Sequence, residues 1–143
     1  MTAVVKSTKA GYDALSAMTC VKISELFAGA KFKFLDPVYI DSAGVVQAAI
    51  DDSDMVKFDG FASRTIDSDM IGAPVTILSH GLICEWLEDS DNYDPGSLFY
   101  VGAANQLETT GRVPVAMSIN GREIVVIAGP GIRRGVDSVA LVK

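Results

Sequence analysis

His80 is the only imidazole in the chain, and it sits between Ser79 and Gly81. A Ser–His hydrolase needs a nucleophile held against the imidazole and an acid to orient it. Adjacent residues of an extended segment point to opposite faces, so Ser79 is badly placed to serve. No Gly-x-Ser-x-Gly elbow offers another serine. A metal centre on His80 would lack a second histidine and a nearby cysteine. His80 therefore reads as a turn residue, and a small hydrolase pairing His80 with a carboxylate is the enzymatic alternative.

The carboxylates suggest other chemistry. Asp89-Ser90-Asp91-Asn92-Tyr93-Asp94 begins like a calcium loop, but Tyr93 stands at its fifth position, Asp94 at the sixth where glycine makes the turn, and Tyr100 at the twelfth where a bidentate glutamate closes the site. Asp52/Asp54 and Asp67/Asp69 are pairs of the kind used in acid–base work, which also requires a cleft that perturbs their ionisation. In Ser/Asp-rich segments they read as solvated loops. Cys20 and Cys84 match no zinc spacing or disulfide framework and read as reduced core residues. Val125 to Gly135 runs from an apolar stretch into Gly129-Pro130-Gly131 and Arg133-Arg134, which resembles a dinucleotide phosphate turn. That mechanism requires a helix N-terminus behind the glycines and a second strand beyond, and only eight residues follow Gly135. No catalytic residue, cofactor or metal is expected.

The surroundings of these residues point to a β-rich body. Of 143 residues, 49% are hydrophobic and 21% charged, which suits one folded domain rather than a disordered chain. The net charge is −6. That argues against a nucleic-acid partner, which calls for a basic footprint. The charge is uneven, at +3 over residues 1–35, −11 over 36–94 and +2 over 95–143. No apolar run approaches the roughly 18 residues of a membrane span, and the N-terminus lacks the apolar core of a signal peptide. A cytoplasmic protein, or a component of something assembled there, is expected.

Alternation of Lys31-Phe32-Lys33-Phe34 predicts a strand with both aromatics on one face. Val38 to Ile40 and Val45 to Ala48 flank Asp41-Ser42-Ala43-Gly44 and predict a hairpin. Gly60 within Phe58 to Ala62 marks a bulge or a close backbone approach. Further strands are expected at Pro74 to Leu78, Leu82 to Trp86 and Leu98 to Val101. Val113 to Ile119 and Arg122 to Ala128 flank Asn120-Gly121, the pair that a type I′ turn favours, and predict a last hairpin. Helical signals are confined to Tyr12, Leu15 and Met18 and to Ser24 to Ala28. Short strands without long helices between them predict a mainly β fold, a single compact sandwich or barrel with at most one or two short helices.

The order of these segments resembles that of bacteriophage head decoration proteins, also called capsid cement or head-stabilising proteins. The blocks are Ala28-Gly29, Leu35-Asp36-Pro37-Val38-Tyr39-Ile40, Val45-Val46-Gln47-Ala48, Asp59-Gly60-Phe61-Ala62 and Gly72-Ala73-Pro74-Val75-Thr76-Ile77-Leu78. They continue through His80-Gly81, Pro95-Gly96-Ser97-Leu98-Phe99-Tyr100 and Pro114-Val115-Ala116 into Ile124-Val125-Val126. Each block is ordinary β-sheet vocabulary, and the specificity lies in order and spacing over residues 23–128. The resemblance implies a tulip-like β body that binds the major capsid protein on the outer surface of a virion. It would do so as a homotrimer at three-fold and quasi-three-fold positions and stabilise the shell, after synthesis in the host cytoplasm. A spike base or tail component is the non-enzymatic alternative.

The resemblance divides the chain into an arm (1–22), a β-domain (23–128) and a tail (129–143) that packs on the body or a partner. The ends are basic and weakly patterned, which marks them as capsid contacts. Val4, Val5, Tyr12, Leu15 and Ile132 would supply apolar area, and Lys6, Lys9, Arg133 and Arg134 the steering charge.

Overall fold

The computed structural model describes residues 3–4, 6–7, 10–12, 26–51, 55–79, 82–84, 86–87, 93–102, 106–127 and 131–135. The chain is mainly β, with no helix of seven or more among these residues. One single-turn 3₁₀ helix, Ser68–Met70, is present among them. No helix among them is long and apolar enough to cross a membrane.

The predicted first hairpin is β4 (Pro37–Ile40) and β5 (Val45–Ala48), antiparallel, with Val38 opposite Ala48 and Ile40 opposite Val46. Gly44 turns it at φ 81°, while Asp41 Oδ1 accepts the N–H groups of Ala43 and Val45. β3 (Phe27–Ala28) pairs parallel to β5, and β8 (Gly60–Ala62) and β9 (Ile77–Leu78) continue the sheet beyond β4. Residues 72–75, just before β9, hydrogen-bond back onto β3. The Ala28 N–H donates to the Ala73 carbonyl (2.9 Å), and the Val75 N–H donates to the Leu26 carbonyl (3.1 Å). The five-stranded sheet therefore closes on itself, which leaves few unpaired backbone groups at its edges. Its filling includes Phe32, Val38, Val46, Ile66 and Ile77.

Gly60 is required where β8 crosses β9. A Cβ there would lie 2.5 Å from the Leu78 carbonyl oxygen, so the close approach expected from the sequence is present.

A second sheet has seven strands in the order β1 (Ala3–Val4), β12 (Leu107–Glu108), β11 (Leu98–Val101), β13 (Pro114–Ser118), β14 (Ile124–Val126), β10 (Leu82–Cys84) and β2 (Gly11–Tyr12). Both of its edges come from residues 3–12. Val4 pairs with Leu107 at one edge, and Lys6 bridges Leu87 on the opposite side. Two residues of chain span at most about 7 Å, whereas six flat inter-strand gaps would span roughly 29 Å. The sheet must therefore curl until its edges almost meet, and residues 3–12 close it.

A third, small sheet joins β6 (Ile50–Asp51), β7 (Met55–Phe58) and β15 (Ile132–Gly135), with β7 central. One core runs between the sheets, with Phe58, Phe61, Trp86, Phe99 and Leu35 among its fully buried side chains. Phe61 stands edge-on to both Phe58 (centroids 5.5 Å) and Trp86 (6.5 Å). The Trp86 indole N–H, buried and far from water, donates to the Leu35 carbonyl at 3.0 Å.

Several expectations need correction. Residues 31–34 form no strand. Phe32 makes a single bridge to Ile66 and is buried, and the chain then turns through Phe34 and Leu35, with Leu35 at φ 64°. The alternation recorded burial without continuous pairing. Phe27–Ala28, the end of the segment expected to start a helix, is the strand β3 instead. The last hairpin is present but is not type I′. Gly121 has φ 89° and Asn120 does not have positive φ. Asn120 instead accepts the N–H groups of Arg122 and Glu123 on its side-chain oxygen, and Ser118 Oγ accepts the Gly121 N–H.

Candidate interaction surfaces

The residues set apart as arms fall in several places. Ala3–Val4, Lys6 and Gly11–Tyr12 are paired into the seven-stranded sheet, and Ile132, Arg133 and Arg134 lie in β15, opposite Phe58, Lys57 and Val56. Val4 is 3% exposed, so its side chain belongs to the chain's own core. Lys6 is committed internally. Its ammonium donates to the Phe34 carbonyl and to Asp36 Oδ1 (2.7 Å), and the buried Asp36 takes the Lys33 N–H on its other oxygen (2.8 Å). The physical reason is pairing, because Val4 opposite Leu107 and Lys6 opposite Leu87 hold these two residues against the body. Val5, Lys9 and Leu15 lie outside the described residues, as do His80, Cys20, Asp52 and Asp54.

The glycine-rich turn leads to a strand and not a helix. Gly131, at φ 91°, donates its N–H to Asp59 Oδ1 (2.5 Å), and β15 then runs antiparallel to β7. A phosphate turn needs a helix end at that point, so that arrangement is not formed. Among the described residues no group of three or more His, Cys, Asp or Glu side chains could hold a metal ion. Asp67 and Asp69 are exposed beside the 3₁₀ turn. Asp41 has the one resolved change in acidity among the described residues. The Gln47 amide (3.0 Å) leads in holding its pKa below the ordinary carboxylate value; desolvation opposes it, and the N–H groups of Val45, Ala43 and Gly44 each add a smaller lowering effect. This is a turn lock and not a reactive acid.

What the surface offers instead is apolar area in two places. On the seven-stranded sheet a bulge at Val115 turns both Val115 and Ala116 inward, where each is fully buried. The next outward positions form a rung across three strands, Leu98 opposite Met117 and Met117 opposite Val125. Ile119 and Ile127 extend it on either side, and Tyr100 follows Leu98 on the same face of β11. Leu98 is 39%, Ile119 41% and Ile127 43% exposed. The second place is on the five-stranded barrel, where exposed Phe27 bridges the exposed Pro74 near Ile71, the most exposed large apolar residue described (51%). Sequence alternation missed both. Leu98 and Ile119 are β-sheet vocabulary whether they face in or out, and alternation alone does not say which side of a strand meets the core.

Comparison of the chain with protein-family models, curated proteins and solved structures finds no match.

Proposed function

We propose that this chain is a structural virion protein. It binds the major capsid protein on the outside of an assembled shell, as a homotrimer at three-fold and quasi-three-fold positions, and stabilises that shell. The observation that carries the reading is spatial. The blocks whose order resembles decoration proteins are neighbours in the fold, with Ala28, Val45–Ala48, Pro37–Ile40, Gly60–Ala62 and Ile77–Leu78 consecutive across the closed five-stranded sheet. The later blocks, in Leu98–Val101, Pro114–Ser118 and Ile124–Val126, are consecutive across the seven-stranded one.

The energetics suit the role. A rigid body joining three weak contacts gains by effective concentration, so modest patches give firm capture. A protein that binds only the assembled shell shifts the equilibrium towards assembly. The test is to image and heat particles made with and without this chain. Particles made without it should assemble yet release their contents at a lower temperature, and adding the purified protein should restore the difference.

A further inference from the structure

We infer that the cleft where β4 and its turn face β7 is a binding site for a carboxylate carried on a short apolar stem, with Lys57 and Arg133 as the cations that receive it. The site stands apart from the capsid reading and does not depend on it.

The cleft is open to solvent and holds about 470 Å³. That lies within the range of about 300–1,000 Å³ common for small-ligand sites, which pair a mostly apolar lining with a few polar groups. Tyr39 and Ile40 of β4 and Met55 of β7 supply the apolar lining, and Asp41, Ser42 and Lys57 supply the polar groups.

Lys57 carries a charge that the chain leaves unanswered. It is half-buried, and its ammonium lies 5.4 Å from the centre of the Tyr39 ring. Among the described residues it has no ion pair and no hydrogen bond. The ring face holds the cation beside the cleft without neutralising it. In the three-stranded sheet the neighbours of Lys57 are Ile50 on β6 and Arg133 on β15. Like charges directly opposite across an antiparallel pair repel.

The carboxylates on either side are engaged elsewhere. Asp41 accepts the N–H groups of Ala43 and Val45 on Oδ1 and the Gln47 amide on Oδ2. Asp59, two positions beyond Lys57, accepts the N–H groups of Gly131 and Ile40. An anion from outside the chain is what relieves the opposed cations.

The surroundings select a monoanion. The chain carries −6 in total, and residues 36–94 carry −11. Asp41 stands at the cleft with its pKa held below the ordinary value, led by the Gln47 amide, so its charge persists. A dianion such as phosphate meets about twice the repulsion of a carboxylate in that field. An arginine fork also matches the two oxygens of one carboxylate. Room for a stem lies beside the cations. Gly135 stands opposite Met55, so no β15 side chain lies across from Met55, and Ile40 and Tyr39 complete an apolar bed.

The experiment is a backbone-amide NMR titration of the full-length chain with sodium 4-methylpentanoate, repeated with the neutral 4-methylpentanamide and with inorganic phosphate. The acid is expected to give saturable shifts in Ile40 to Ser42 and Met55 to Lys57. The neutral compound is expected to bind about tenfold more weakly, or less, because it lacks the charge. Lys57→Gln and Arg133→Gln are each expected to weaken the acid about tenfold. Each also removes one of two opposed cations, so neither is expected to unfold at a lower urea concentration than wild type. Lys31→Gln, at an exposed lysine outside the cleft, should leave binding unchanged. A blocked pentapeptide with one central glutamate separates two sources of the same chemistry. Tighter binding than the free acid assigns an acidic side chain of a protein, and weaker binding assigns a small molecule. Four results would overturn the site: no saturable shift with acid or peptide, equal binding of acid and neutral compound, tighter binding of phosphate, or wild-type affinity in both Lys57→Gln and Arg133→Gln. The comparison of acid with neutral compound uses wild type, so it stands whether or not the variants fold.

Discussion

The Asp59 carboxylate accepts the N–H of Gly131, 72 residues further along the chain, on Oδ1 at 2.5 Å and the Ile40 N–H on Oδ2 at 2.6 Å. Asp59 is 3% exposed and follows β7, the strand on which β15 pairs. One side chain thus fixes where the C-terminal strand docks. Asp59→Ala removes the acceptor for two backbone donors, and each orphaned donor costs about 1–3 kcal/mol. The variant is expected to lose about 3 kcal/mol by urea denaturation, with faster amide exchange in residues 132–135. Unchanged exchange there would separate the docking of β15 from Asp59.

Lys6 tests whether the N-terminal segment is a free arm or part of the body. Lys6→Ala leaves Asp36 buried without its cation, at an expected cost of about 2 kcal/mol. Deletion of residues 1–10 removes β1 as well and is expected to destabilise the fold further. A truncated chain with the full-length denaturation midpoint would show that these residues contribute nothing to the body.

Trp86, the single tryptophan, reports on the shared core. It is 1% exposed, so native emission should be blue-shifted and should move to the red on unfolding. Trp86→Phe loses volume and leaves the Leu35 carbonyl unpaired, and is expected to cost about 2–4 kcal/mol in chemical denaturation. A cost near zero would mean that the core repacks freely around Phe61.

Asp41 gives the pH dependence a sign. Its folded pKa is held below the ordinary value of 3.8, led by the Gln47 hydrogen bond. Its contribution to stability is therefore present above the unfolded-state pKa and is lost as pH falls through the folded one. Carboxyl carbon shifts followed by NMR should show Asp41 titrating below 3.8, and Gln47→Ala should move the midpoint back up. A midpoint unaffected by Gln47→Ala would remove the amide as the cause.

The β class, the first hairpin and the close approach at Gly60 were legible in the sequence because each rests on local chemistry, such as alternation, turn residues or a missing Cβ. The closure of both larger sheets was not. It depends on Lys6 meeting Leu87 and Ala28 meeting Ala73, pairings between distant residues that leave no periodic trace. The arm reading failed to anticipate the burial of Val4 for a related reason. Two-residue strands such as Ala3–Val4 are too short to show a period. The outward apolar face was invisible because Leu98, Met117 and Val125 alternate with equally apolar buried residues, Phe99, Ala116 and Val126, so alternation could not say which side meets the core. Asn120-Gly121 correctly marked a hairpin but misled on its geometry, because backbone N–H groups donating to the Asn120 and Ser118 side-chain oxygens supplied what the backbone conformation was expected to provide.

The most direct test of the functional proposal is cryo-electron microscopy of particles from the source of this sequence, reconstructed with and without the gene that encodes it. Trimeric density of this fold is expected over three-fold and quasi-three-fold positions of the shell, and only when the gene is present. Shells identical in the two reconstructions, or density for this chain confined to a tail or a single vertex, would contradict the proposal.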